Sequence, residues 1–227
     1  VEAALEAVLP PPDRWPDVLH EALRYSVFSG GKRLRPVLVL AAAELCGGRI
    51  ERALPAACAV ELVHTYSLVH DDLPCMDDDA FRRGRPTTHV VYGEAMAVLA
   101  GDALLTLAFA CLTDPASPLE PAVQAAMVRE LAVAAGSTGL VAGQVADLAA
   151  ERREEWRTPV PRAGDAAGEV ERIHRHKTGA LFGACVRLGA LSAGGDAKAM
   201  ARLSRFAEDF GLAFQIVDDI LDVSGQE

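Results

Sequence analysis

The sequence lacks any surplus of positive charge. Its 227 residues carry 22 Lys+Arg against 32 Asp+Glu, a formal charge of −10. That balance argues against nucleic acid as a partner, and an anionic ligand would need metal or a local basic patch. Paired cysteines are also missing. Cys46, Cys58, Cys75, Cys111 and Cys185 are scattered, with no CxxC among them. An odd, unpatterned count argues against a disulfide framework and for a reducing compartment, here the cytoplasm. No signal peptide is visible. The β-branched alternation of strands is scarce, and no short-period repeat occurs. The nearly apolar run 95–112 is interrupted by Gly101 and Asp102. It reads as a buried helix rather than a membrane span.

Helical periodicity is what remains, in a chain that is 51% hydrophobic. A Pro-rich lead, LPPPDRWP, precedes a helix expected over 17–28 and ended by Ser29-Gly30-Gly31. Pro36 opens the next helix, which Gly47-Gly48 stops. Further helices are expected over 55–72, 93–112, 121–135, 138–149, 167–191 and 197–223. The segments 113–121 and 151–165 read as loops. The second is charged and Pro-containing, a surface insertion or a mobile flap. The pattern gives one all-α domain spanning 1–227.

Two aspartate clusters end apolar helical stretches. HDDLPCMDDD holds Asp71, Asp72, Asp77, Asp78 and Asp79; VDDILD holds Asp218, Asp219 and Asp222. Carboxylates this dense repel one another, and those at a helix C-terminus face the negative end of the macrodipole. Hard divalent cations such as Mg²⁺ relieve both penalties. Two such clusters suggest a multi-metal site and phosphate chemistry. His64, Ser67 and Asp71 form one helical stripe, with His64 ~10 Å below Asp71. Asp77 cannot join that stripe by regular geometry, so the chain must fold back at Pro74 if Asp71 and Asp77 share metals. The Arg82-Arg83-Gly84 run that follows suits a diphosphate. GGKRLRP sets Lys32 and Arg35 beside a helix N-terminus, where an anion is already favoured.

HTYSLVHDDLPCMDDDAFRRGRPTTH resembles the first aspartate-rich region of the trans-polyprenyl diphosphate synthases, the family of farnesyl and geranylgeranyl diphosphate synthases. GGKRLRP, GQVADL, HKTGALF and FQIVDDILD match further family motifs in the right order. The resemblance implies the all-α isoprenoid synthase fold, with helices surrounding a central active-site cavity. It implies that Lys32, Arg35, His64 and Arg83 grip isopentenyl diphosphate. Arg82, Lys177, Thr178 and Gln215 would face the allylic diphosphate, the last three at the reacting centre. Asp71, Asp77 and Asp218 would hold three Mg²⁺ ions, with Asp72 and Asp222 orienting the ligands and their waters. Asp78 and Asp79 are left as solvated charges, and His70, His174 and His176 as structural or surface residues.

The implied reaction is ionisation of an allylic diphosphate (dimethylallyl, geranyl or farnesyl), attack by isopentenyl diphosphate, and loss of a proton. Tyr66 and Ser67, just before Asp71, are the chain-length candidates. An aromatic floor at Tyr66 implies a farnesyl product, with geranylgeranyl as the alternative. A phosphohydrolase of the HD type would need further histidine ligands. A terpene cyclase would not require the second-diphosphate signature. A non-catalytic partner subunit would usually lose an aspartate cluster. The family continues beyond the equivalent of Glu227, so the resemblance implies a domain without the C-terminal helices, commonly a homodimer.

Overall fold

Apolar and small residues surround nearly the whole circumference of residues 50–71, and a helix buried on all sides belongs at the centre of its fold. The computed structural model describes residues 1–151 and 166–224. Among these are eleven α-helices: α1 (Glu2–Val8), α2 (Asp17–Val27), α3 (Leu34–Leu45), α4 (Ile50–Asp71), α5 (Thr88–Tyr92), α6 (Glu94–Leu112), α7 (Pro121–Ala135), α8 (Leu140–Glu151), α9 (Ala166–His174), α10 (Ala180–Ala193) and α11 (Ala197–Ser224). Helix α4 is the central element: α1, α2, α3, α6, α7 and α10 all pack on it. Ala53, Ala56, Ala57 and Ala59 are fully buried, and their small side chains let those neighbours approach closely. Helix α10 forms a second axis against α3, α7 and α11.

The expected helices exist, with informative differences at their ends. Helix α4 begins at Ile50 rather than at Pro55, so Pro55 lies inside it at the cost of one i→i−4 bond. The buried alanines around it keep those turns in the core. Helix α3 begins two residues before Pro36, still within the turn whose N–H groups have no intrahelical partner. The short helices α1 and α5 were not expected. A two-stranded hairpin was not expected either: β1 (Phe81–Arg82) pairs with β2 (Arg85–Pro86), with Arg82 opposite Arg85. Its two-residue turn, Arg83-Gly84, has positive φ at both positions (52° and 72°), the primed geometry that suits a tight hairpin. The segment 152–165, expected as a loop or flap, lies outside the described residues, as do residues 225–227.

By length and composition alone, Glu94–Leu112 and Pro121–Ala150 could each cross a membrane. In this fold α6 lies along α4, and α7 lies against α10.

The helix expected over 167–191 is not continuous. Between α9 and α10 the chain makes a π turn, Arg175–Gly179. Such turns insert one residue into the ladder and occur often at functional sites. Helix α8 approaches this turn so closely that a Cβ at Gly143 would collide with the backbone nitrogen and Cα of Lys177. Gly143→Ala should therefore lower stability by about 2 kcal/mol through overpacking against backbone. A melting curve would register this as a loss of roughly 4–8 °C; an unchanged midpoint would show that the α8 approach is not tight.

Candidate active site

One cavity of about 1020 Å³ collects most of the residues singled out in the sequence. Lys32 and Arg35 enter from the start of α3, and His64, Ser67 and Asp71 from α4. Asp77 comes from the loop after α4, Arg82 and Arg83 from the hairpin. Lys177 and Thr178 lie on the π turn, and Gln215 on α11.

The acidic part forms because α4 stops at Asp71, three residues before Pro74. The chain then folds back. The Asp77 N–H donates to the Asp71 carbonyl at 2.8 Å, and the Met76 and Asp78 N–H groups donate to Leu73 at 2.8 and 3.1 Å. Asp78 takes the left-handed conformation that closes the loop (φ 57°). Asp71 and Asp77 thus face one cavity although six residues separate them. Burial pushes the Asp71 carboxyl up to about 7; Lys177 opposes this and Asp77 adds to it. A carboxylate so disfavoured beside another is a fitting ligand for a hard divalent cation. Among the described residues no group of three or more His, Cys, Asp and Glu side chains gathers as a metal site. The carboxylates expected to complete it, Asp218 and Asp222, sit on α11, and their side chains lie outside the described residues.

Asp72 does not join the cavity lining. It is buried, and its carboxylate accepts from Arg82 Nε at 2.7 Å. Arg82 Nη2 also donates to Asp79 at 3.3 Å. Asp72, expected to orient metal ligands and waters, thus pairs with Arg82 beside the cavity. Asp79 is likewise more than a solvated charge. The reason is the hairpin, which returns Arg82 over the end of α4.

The basic part is held from several sides. The Arg35 guanidinium lies 4.8 Å from the centroid of the fully buried Phe182 ring. Arg83 donates to the Gly30 carbonyl, pinning the hairpin tip to the GGKR turn. His64 sits among these cations; burial, then Arg35, Arg83, Arg82 and Arg33, hold its pKa well below the usual histidine range. A neutral imidazole can donate one hydrogen bond without adding to the positive charge.

On the third side Lys177 Nζ meets Asp147 at 2.5 Å. Burial works against the Lys177 charge, but Asp147, Asp71 and Asp77 outweigh it and raise its pKa. Thr178 Oγ1 donates to Gln215 Oε1 at 2.8 Å, joining the π turn to α11. Gln144 is buried with neither side-chain polar atom hydrogen-bonded, and it lines the cavity.

Sequence reasoning left Arg33, Glu61, Gln144 and Asp147 without roles and read His174 as structural or surface, and all five line the cavity. For Gln144 and Asp147 a signal existed: two polar residues three apart in the apolar run LVAGQVADLAA share one helix face. For Glu61 none existed, because a lone carboxylate on a buried helix has no local partner. The structure also alters the reading of Tyr66. It is buried but not among the lining residues. Its ring packs edge-on against His70, at 5.8 Å between centroids. His70 Nε2 in turn lies 3.0 Å from the Val98 carbonyl of α6, where the absence of a side chain at Gly101 makes room for it. Ser67, one residue on, does line the cavity. His176 stays structural, with Nδ1 2.8 Å from the Arg172 carbonyl.

A polyprenyl synthetase profile matches residues 16–227. The chain is 51% identical to the chloroplastic geranylgeranyl pyrophosphate synthase of Capsicum annuum, over 92% of this chain and 54% of that protein. It is also 51% identical to the chloroplastic heterodimeric geranylgeranyl pyrophosphate synthase large subunit 1 of Arabidopsis thaliana, over 99% of this chain and 58% of that one. The chain thus spans somewhat over half the length of these curated relatives. Among solved structures, an FPP/GFPP synthase from Zymomonas mobilis superposes with a TM-score of 0.88 at 43% identity, covering 97% of this chain and 77% of that one.

The raised Asp71 pKa fixes the sign of a pH effect. Between about pH 4 and pH 7 the unfolded chain releases a proton that the folded, metal-free chain retains, so this residue lowers stability as pH rises. With chelator present, Asp71→Asn should be more stable than the parent above pH 7, by up to about 4 kcal/mol, with the difference vanishing near pH 4. Denaturant titrations at pH 4, 6 and 8 check this, and a pH-independent difference would refute it.

Proposed function

The chain belongs to the polyprenyl synthetase family, and from that premise we propose that it is a Mg²⁺-dependent trans-prenyltransferase that condenses isopentenyl diphosphate head-to-tail with an allylic diphosphate. One observation carries the reading: a carboxylate pair and a separate group of cations open into the same cavity. Either alone would suit a single phosphate ligand. Together they suit two diphosphates, one bound through metal and one bound by protein cations directly.

Lys32, Arg35, His64 and Arg83 hold the isopentenyl diphosphate in this reading. Arg forks grip phosphate oxygens bidentately, and Lys32 acts as a movable point charge. Arg82, aimed by Asp72, meets the allylic diphosphate together with Lys177. Asp71, Asp77 and Asp218 would hold Mg²⁺, proposed as three ions, which when bound neutralises the allylic diphosphate and improves it as a leaving group. The C1–O bond breaks and diphosphate departs with the electron pair. The Thr178–Gln215 pair and the amide of Gln144 offer oxygen dipoles to the allylic cation. The double bond of isopentenyl diphosphate attacks C1, and the resulting tertiary cation loses its C2 proton to the released diphosphate. The protein forms no covalent intermediate; it contributes orientation and preorganised charge.

For product length we infer geranylgeranyl diphosphate rather than the farnesyl diphosphate suggested by the aromatic Tyr66. The Tyr66 ring is turned against His70, and the small Ser67 borders the cavity instead. The names of the Capsicum and Arabidopsis relatives support the same product. A second copy is the proposed partner. Val98 and Leu99 expose 40% and 55% of their surface on the outer side of α6, an apolar strip that twofold pairing would bury. Five unpaired cysteines suit a reducing compartment, cytoplasmic or plastid.

Incubation with Mg²⁺, isopentenyl diphosphate and each allylic diphosphate, followed by chain-length analysis, tests the proposal; absence of any condensation product would sink it. Asp71→Ala and Asp77→Ala should each cost about three decades in kcat. Ser67→Phe should shorten the product while Tyr66→Ala leaves it unchanged. A longer product from Tyr66→Ala would restore Tyr66 as the pocket floor and the farnesyl assignment with it.

A further inference from the structure

Two charged residues on the cavity wall take no part in the reaction described above. Arg33 stands between Lys32 and Arg35, and Glu61 stands on α4 one turn before His64. A buried carboxylate beside a site for diphosphate is unexpected, because it would repel the ligand. We propose that Arg33 and Glu61 are positioning residues, a brace that holds the turn from which Lys32 and Arg35 reach isopentenyl diphosphate. The inference rests on the assignment of that diphosphate to Lys32 and Arg35.

The turn has little of its own to hold it. Gly30 and Gly31 take φ of 95° and 133°, and Arg33 takes the left-handed conformation, φ 49° and ψ 34°, as the N-cap of α3. A non-glycine residue persists there only when its surroundings over-determine it. The Arg33 side chain supplies that determination. All three of its guanidinium nitrogens donate into the protein. Nε reaches Glu2 at 2.6 Å, Nη1 reaches Glu61 at 2.6 Å, and Nη2 reaches the Val27 carbonyl at 2.8 Å. These bonds tie the turn to α1, to the central helix α4 and to the last turn of α2. The Val27 carbonyl is among those that a helix C-terminus leaves without an intrahelical partner. Glu61 is 3% exposed and Arg33 11%, so the pair lies in the core rather than in solvent.

The left-handed backbone is what separates the roles within GGKRLR. It turns the Arg33 guanidinium onto Glu2, Glu61 and the Val27 carbonyl, although Lys32, Arg33 and Arg35 all border the cavity. Glu61 thus offsets the Arg33 charge at the place where the pair is buried. The rival role for Arg33, a further direct ligand of diphosphate, makes an opposite prediction about Glu61. If Arg33 bound the ligand itself, neutralising Glu61 would release it and strengthen binding. If the pair is a brace, neutralising Glu61 weakens binding.

The experiment is steady-state kinetics on the full chain, varying isopentenyl diphosphate at saturating allylic diphosphate and the reverse. Arg33→Met should raise KM for isopentenyl diphosphate about tenfold or more, and Glu61→Gln should raise it severalfold in the same direction. KM for the allylic diphosphate should stay within about twofold in both. The double variant Arg33→Met/Glu61→Met leaves no buried unpaired charge, and it should be no worse than Arg33→Met alone. It also keeps the test open where Arg33→Met fails to fold. Lys32→Ala is the control. If Lys32→Ala leaves KM for isopentenyl diphosphate unchanged, the site assignment falls and the brace with it. If Lys32→Ala raises that KM while Glu61→Gln leaves or lowers it, the brace alone is overturned. A fall in kcat with both KM values unchanged would assign Arg33 and Glu61 to stability only.

Discussion

The desolvation of charge governs this molecule. An interior lined by arginines, lysines and aspartates is costly to form, since each ion gives up water that a low-dielectric wall does not replace. The chain meets that cost with ion pairs that cross between elements. Arg33 meets Glu61, Arg82 meets Asp72, and Lys177 meets Asp147. Glu61 and Asp147 lie on helices and Asp72 caps the end of α4, while their partners lie on a turn, a π turn and a hairpin. The pairs therefore serve the architecture as well as the charge. They fix irregular backbone onto its helical neighbours at places where charged side chains line the cavity. Asp71 is the exception: burial raises its pKa to about 7, with Lys177 opposing the rise and Asp77 adding to it. That imbalance is why the site suits a divalent cation.

Rigid scaffolding and irregular backbone are divided along the same lines. The central helix α4 is packed by six others and fixes the stripe His64, Ser67 and Asp71. The charged cavity-lining residues Lys32, Asp77, Arg83 and Lys177 lie where the chain departs from a regular helix. Lys32 is on the GGKR turn, Asp77 on the loop beyond Pro74, Arg83 on the hairpin tip, and Lys177 on the π turn. Each departure is locally over-determined. The Asp77 loop bonds back to Asp71 and Leu73, Arg83 is pinned to Gly30, and the close passage of Gly143 holds the π turn. Pre-organised groups of this kind stabilise developing charge without reorganising during reaction.

Much of the fold was legible because helices advertise themselves locally. Apolar residues recur at helical spacing, prolines and glycines mark the ends, and neither needs a distant partner to be read. The break at Pro74 was legible for the same reason, and so was the demand that Asp77 return to Asp71. The π turn was not, since its sequence RHKTG carries a single glycine that does not end the helical run, and α8 packs closely against it. The short hairpin was hidden by its arginines, which are not strand formers. The direction of the Tyr66 ring was not legible, because periodicity sets its place on α4 but the ring packs against His70.

The amino-acid sequence by itself determined which chemistry was possible. It placed two aspartate clusters, a basic turn and an Arg-Arg-Gly run along one all-helical chain, and local rules of helix geometry suffice to recognise them. Only the tertiary structure decided which of those charges share one cavity and which are paired with one another. Arg33 and Arg35 are two residues apart, of the same type, and both border the cavity, yet Arg33 is bonded to Glu61 and Arg35 lies over the Phe182 ring. The physical reason is that burial and pairing are long-range properties. Glu61 lies 28 positions away in sequence, and the energy of an ion pair depends on distance and dielectric in the folded molecule, neither of which a local pattern contains.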